Sequence, residues 1–118
     1  MEHARILVAM ENNILINKLK TILLEIGYEV IDQANEGNDC LSKIRFLSPD
    51  IAVIDYKLVS IDGFQIAKIV AQDKLCDVII VSNIQTDEER SSIDYIKSEY
   101  DFVVMTKPLK RENLINTI

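Results

Sequence analysis

Five short strand-like runs, four of them apolar throughout, separated by segments whose apolar residues recur every three or four positions, constrain this chain more than any other feature. The runs are Ile6-Leu7-Val8-Ala9, Glu29-Val30-Ile31-Asp32-Gln33-Ala34, Ile51-Ala52-Val53-Ile54, Val78-Ile79-Ile80-Val81 and Phe102-Val103-Val104-Met105. All but the second are apolar on both faces, as in parallel strands covered by helices on each side. The polar content of the second places it at or near a sheet edge.

The intervening segments read as helices. Residues 14–26 carry a stripe of Leu15, Leu19, Ile22, Leu23 and Ile26, with Asn12 or Asn13 as the cap and Gly27 as the stop. Residues 39–47 present Cys40, Leu41, Ile44 and Leu47, and Ser48-Pro49-Asp50 breaks them. A third helix runs from Asp62-Gly63 to about residue 71, with Ile66, Ala67, Ile69 and Val70 as its apolar side. Residues 86–100 have only a thin stripe of Ile93, Ile96 and Tyr100, so this fourth helix should be the least firmly docked. A fifth helix opens at residue 110, with Leu114, Ile115 and Ile118 facing in.

Strands alternating with helices imply right-handed parallel βα units and helices on both faces of one sheet. The expected fold class is α/β, a doubly wound five-stranded parallel sheet of order 2-1-3-4-5 in a flavodoxin-like three-layer sandwich. With 118 residues, the chain is expected to form a single domain over 1–118. About nine residues remain for the last helix, so the chain is expected either to be cut within it, any output domain then being absent, or to end in an unusually brief one.

Composition removes several function classes. The net charge of -6 is a poor match for nucleic acid, whose binding is dominated by phosphate contacts. No apolar run is long enough to span a membrane, and Met1-Glu2-His3-Ala4-Arg5 has no signal-peptide pattern; a cytoplasmic location is the expectation. Cys40 and Cys76 fit no metal spacing or redox motif and read as small hydrophobes. His3 has no candidate partner at ligand spacing and reads as solvated.

The third run ends in Asp55. A carboxylate at the carboxyl end of a central parallel strand points into the crevice where open α/β sheets bind ligands. Met10-Glu11-Asn12, Ser82-Asn83 and Lys107-Pro108 stand at matching strand ends. Two acids, a hydroxyl and a lysine converging on one rim suggest a phosphoryl-and-metal site.

In the ordered set formed by the first run, Asp50 to Asp55, Asp62-Gly63, Ile80-Val81-Ser82 and Lys107-Pro108, the chain resembles the receiver (REC) domain of two-component response regulators over essentially its full length. The resemblance implies that Asp55 accepts a phosphoryl group from a sensor histidine kinase or phosphotransfer protein, and that the domain then changes its protein contacts rather than turning over a substrate. It implies Mg²⁺ held by Asp55, Glu11 and the backbone carbonyl of Lys57, with Lys107 and Ser82 on phosphoryl oxygens. It implies a cis bond before Pro108 that aims Lys107 inward, and a possible homodimer through the fourth helix, fifth strand and fifth helix.

Departures from the family pattern carry their own expectations. The family has two adjacent acids after the first strand, whereas this chain has Met10-Glu11. A soft thioether cannot serve a hard ion, so Mg²⁺ binding should be weakened; the alternative is that Met10 packs at the rim and the site tolerates it. Val59 replaces a proline, Asn83 a small residue that it would outsize beside Asp55, and Val104 an aromatic, so the usual hydroxyl-aromatic coupling cannot operate in its ordinary form. Lys57 and Ile84 stand where the family tunes acyl-phosphate hydrolysis, and an apolar Ile84 would help to exclude water. Met10 also motivates a second reading, a receiver-like interaction module that is never phosphorylated. A flavin, dinucleotide or dehalogenase-type phosphatase site is disfavoured, because the chain has no phosphate loop after the first strand, no GxGxxG, and Lys57 where an acid would be needed.

Overall fold

The computed structural model describes residues 4–82, 87–88, 90–91, 94–95 and 103–106. Its elements are β1 (Arg5–Ala9), α1 (Asn13–Ile26), β2 (Glu29–Ala34), α2 (Gly37–Leu47), β3 (Ile51–Asp55), α3 (Gly63–Asp73), β4 (Asp77–Ser82) and β5 (Val103–Thr106). The strands form one parallel sheet of order β2-β1-β3-β4-β5. The expected class and strand order are therefore observed, with β2 at an edge.

Alternate residues of each strand feed opposite faces, as a period of two requires. Leu7, Ala9, Ala52, Ile54, Val78 and Ile80 pack with Cys40, Leu41 and Ile44 of α2 and Phe64, Ile66, Ala67 and Val70 of α3. Ile6, Val8, Val53, Ile79, Val81 and Met105 pack with Ile16, Leu19 and Leu23 of α1. Three layers result, and each fully buried Ile or Leu contributes roughly 1.5–3 kcal/mol of transfer free energy.

The helix ends follow local chemistry. Asn12 caps α1, its Oδ1 accepting from the Ile14 amide at 2.8 Å. Gly27, at φ 103°, ends it; the Tyr28 amide then donates to Leu23 O at 2.9 Å and closes a Schellman turn. The buried stripe of α1 centres on Ile16, Leu19 and Leu23, whereas Leu15, Ile22 and Ile26 are half-buried. All five residues expected from sequence face the core, and Ile16 joins them at its centre. Helix α2 starts two residues earlier than expected, because Glu36 caps it, and α3 buries Phe64 beside the expected Ile66, Ala67 and Val70, with Ile69 half-buried.

Positions 87–88, 90–91 and 94–95 are helical. The expected inner residues Ile93, Ile96 and Tyr100, the fifth helix from 110 to 118, and His3 lie outside the described residues. Among the described residues, no helix is long and apolar enough to cross a membrane.

Candidate functional site

Parallel register brings the strand ends to one rim. Ala9 pairs with Ile54, Asp55 with Val81, and Ser82 with Thr106. Neighbouring strands lie about 4.8 Å apart. Asp55 therefore stands between the segment leaving β1 and the end of β4, and Ser82 sits one residue past its ladder partner. Thr106 closes β5 on the same rim, and Lys107 is next in the chain. Lys107, Pro108, Asn83 and Ile84 lie outside the described residues.

Asp55 is 8% exposed, and its Oδ1 accepts from the Lys57 amide at 3.1 Å. That bond folds the chain sharply after β3 and holds the Lys57 backbone beside the carboxylate. The Tyr56 amide donates to Val81 O at 2.9 Å and carries the ladder one step beyond the strand. The Gly63 amide closes the loop on Tyr56 O at 2.9 Å. A Cβ on Gly63 would lie 2.8 Å from Asp55 O and 2.9 Å from Tyr56 Cα, so only glycine lets α3 begin this close to the carboxylate. The Lys57 side chain is exposed.

Ser82 is 1% exposed, and its hydroxyl has no hydrogen-bond partner among the described residues. A buried hydroxyl left unpaired costs about 1–3 kcal/mol. Such a group in a native rim is explained when a ligand oxygen completes it.

The two residues after β1 separate. Met10 is fully buried and belongs to the α1-side core. Its amide donates to Ala34 O at 3.0 Å, and its carbonyl accepts from Asn35 Nδ2 at 3.1 Å. It packs inside rather than at the rim. Glu11 is exposed. Val104 is half-buried against the α2- and α3-side core, the setting of a packed aliphatic residue.

No group of three or more His, Cys, Asp or Glu side chains able to hold a metal occurs among the described residues. Mg²⁺ does not require one, since it is commonly held by one or two carboxylates plus phosphate oxygens and keeps several waters. Asp55, Glu11 and the Lys57 carbonyl are all hard oxygen donors, so the donor chemistry fits Mg²⁺ in this sparse form.

Sequence reasoning missed the residues that tie the loop after Asp55 to α2. Glu36 Oε1 accepts from the Asp39 amide at 2.5 Å, and its Oε2 accepts from the Ser60 hydroxyl at 2.5 Å. The Ser60 hydrogen bond, then that of the Asp39 amide, hold the Glu36 carboxyl below its ordinary range. Glu is not among the short side chains that usually cap helices, so neither the cap nor its second role across the fold left a mark in the sequence. Lys43 reaches Asp39 at 3.0 Å and Asp32 at 3.7 Å, and the Asp39 contact raises its pKa. Cys40 and Cys76 are free thiols.

A family model described as the response regulator receiver domain matches residues 6–118. A protein-glutamate methylesterase/protein-glutamine glutaminase of Archaeoglobus fulgidus is 28% identical over 88% of this chain and 30% of its own length. Protein PilH of Pseudomonas aeruginosa is 27% identical over 98% of this chain and 94% of its own. The solved CheX-CheY-BeF3-Mg+2 complex from Borrelia burgdorferi contains a chain that superposes with a TM-score of 0.81 at 20% identity, covering 97% of this chain and 85% of that one. The chain spans about half or less of the length of several curated relatives that it matches.

Proposed function

Because the chain belongs to the response regulator receiver domain family of two-component signal transduction, we propose that it accepts a phosphoryl group on Asp55 from a histidine kinase or phosphotransfer protein. Receiver domains are generally non-enzymatic signalling modules, although some relatives are esterases with further domains; they interact with such phosphodonor proteins and generally bind Mg²⁺. The observation that carries the proposal is a nearly buried carboxylate at the carboxyl end of a central strand, one strand away from an enclosed Ser82 hydroxyl that has no partner among the described residues.

In the proposed step a carboxylate oxygen of Asp55 attacks phosphorus, the bond from phosphorus to the donor's imidazole nitrogen breaks, and an aspartyl phosphate forms. The Lys57 amide, already on Oδ1, orients the carboxylate. Ser82 donates its hydroxyl proton to a phosphoryl oxygen and Lys107 supplies positive charge to another. Bound Mg²⁺ would neutralise developing charge, with Asp55, Glu11 and the Lys57 carbonyl as its protein ligands. The added charge of up to about -2 then draws these groups together and changes which partner the domain prefers. Association of two copies through the fourth helix, β5 and the fifth helix belongs to the same proposal; Val103 of β5 is exposed, as is Tyr95.

The test is labelling by radioactive acetyl phosphate with Mg²⁺, with a chelator, and in Asp55→Asn. Label that requires Mg²⁺ and disappears in the variant supports the proposal; label that survives Asp55→Asn excludes Asp55.

The second reading is a phosphorylation-independent interaction module. Met10 favours it: a buried thioether stands beside Glu11, the one acid directly after β1. Absence of label at millimolar Mg²⁺ would select it.

A further inference from the structure

The loop of residues 56–62 carries Lys57, whose amide sits on Asp55, yet its far end is fastened to another element. The Ser60 hydroxyl donates to Glu36 Oε2 at 2.5 Å and accepts from the Asn38 amide at 3.0 Å. Glu36 Oε2 also accepts from the Asn38 amide at 3.2 Å. Beside this pair, Val59 O accepts from the amides of Gly37 and Ile61, both at 2.9 Å. Gly37 is buried, and a Cβ there would stand 2.0 Å from Ile61 O. The first turn of α2 therefore lies directly against the loop.

Holding the loop there has a cost. Ser60 adopts φ 68°, a left-handed conformation that a non-glycine residue occupies at roughly 1–2 kcal/mol. The side-chain bond to Glu36 offsets it. Val59, at the loop tip, is exposed and contributes little burial to hold the loop by packing. On either side of it Leu58 is buried and Ile61 packs against the core, and the polar bonds to α2 fix the exposed stretch between them.

We propose that Glu36 and Ser60 are positioning residues: their clamp holds the 56–62 loop against α2, and so keeps the Lys57 backbone registered on Asp55 before any ligand arrives. The inference rests on the reading of Asp55 as the reactive carboxylate. Neither residue touches the reacting atoms. Both act through the loop, restricting the Lys57 amide and carbonyl to the geometry that the site uses.

The experiment compares the full chain with Ser60→Gly, Ser60→Asn and Glu36→Gln. Glycine tolerates the left-handed backbone but removes the donor. Asparagine tolerates it and restores a donor amide. Hydrogen exchange of the Lys57 amide is followed by NMR without Mg²⁺, with the Ile14 amide, bonded to Asn12, as the remote control. Ser60→Gly should speed Lys57 exchange by about tenfold and leave Ile14 unchanged, and Ser60→Asn should restore the slow rate. Glu36→Gln should lie between, since the amide oxygen still caps α2. Mg²⁺ affinity should weaken several-fold in Ser60→Gly and return in Ser60→Asn. Unchanged Lys57 exchange in Ser60→Gly overturns the proposal, as does faster exchange with unchanged Mg²⁺ affinity. Should the unmodified chain neither bind Mg²⁺ nor accept phosphoryl, the reading of Asp55 fails, and the Lys57 exchange comparison still decides the clamp.

Discussion

Gly37→Ala separates two opposing effects by sign. Gly37 opens α2, and replacing a helical glycine by alanine ordinarily stabilises by up to about 1 kcal/mol. Here the new Cβ would lie 2.0 Å from Ile61 O and 2.8 Å from Ile61 N and C, all backbone atoms. Relieving that contact demands a separation of at least about 1 Å between α2 and the 56–62 loop, since atoms of this kind do not approach within about 3 Å. The movement stretches the Gly37 amide bond to Val59 O, the Asn38 amide bond to Ser60, and the Ser60 bond to Glu36. At roughly 0.5–1.5 kcal/mol each, their loss amounts to about 1.5–4.5 kcal/mol. Subtracting the propensity gain leaves a net destabilisation of about 2 kcal/mol. For a domain of this size the melting temperature should fall by roughly 8 °C, and the urea midpoint should fall with the slope unchanged. A variant as stable as the parent, or more so, would refute the close approach of α2 to the loop.

Ser82→Ala removes a buried hydroxyl with no described partner, so the variant should be as stable as the parent or more stable by up to about 1 kcal/mol in urea denaturation, while losing acetyl phosphate labelling. Clear destabilisation would mean that the hydroxyl is already satisfied in the free protein. Burial pushes Cys40 up to about 12 and Cys76 up to about 11 from the ordinary 9.0. The unfolded chain therefore loses these protons first as pH rises; the stabilisation is complete below pH 9.0 and declines as pH climbs towards the two folded values. Urea midpoints measured between about pH 8 and 10.5 should fall less steeply in Cys76→Ala than in the parent, and equal slopes would contradict the assignment.

Where burial decides an element, the sequence was explicit. The runs at 6–9, 51–54 and 78–81 are apolar on both faces, and the sheet buries them on both faces. The strand order followed from the alternation of elements together with the order common among five-stranded doubly wound sheets. Asp55 was legible because a lone carboxylate ends a fully apolar run, and Ser82 because a hydroxyl does the same. Details that depend on two distant segments were not. The α1 stripe includes Ile16 because the axis of that helix is set by the β1 and β3 side chains beneath it, and residue spacing leaves the centre of the stripe open. Met10 could be read as a missing acid but not as a core residue, since a thioether suits either setting. Glu36 and Ser60 are 24 positions apart and look like ordinary surface residues until the fold joins them. The contact between Gly37 and Ile61 is likewise a property of packing, invisible in either segment alone.

The most direct measurement is an amide NMR titration with beryllofluoride at millimolar Mg²⁺, a mimic of the phosphoryl group. Large shifts are expected at Asp55, Lys57 and Ser82, and Asp55→Asn should abolish them. Spectra in which those amides do not move in the unmodified chain would contradict the assignment of Asp55 as the phosphoryl acceptor.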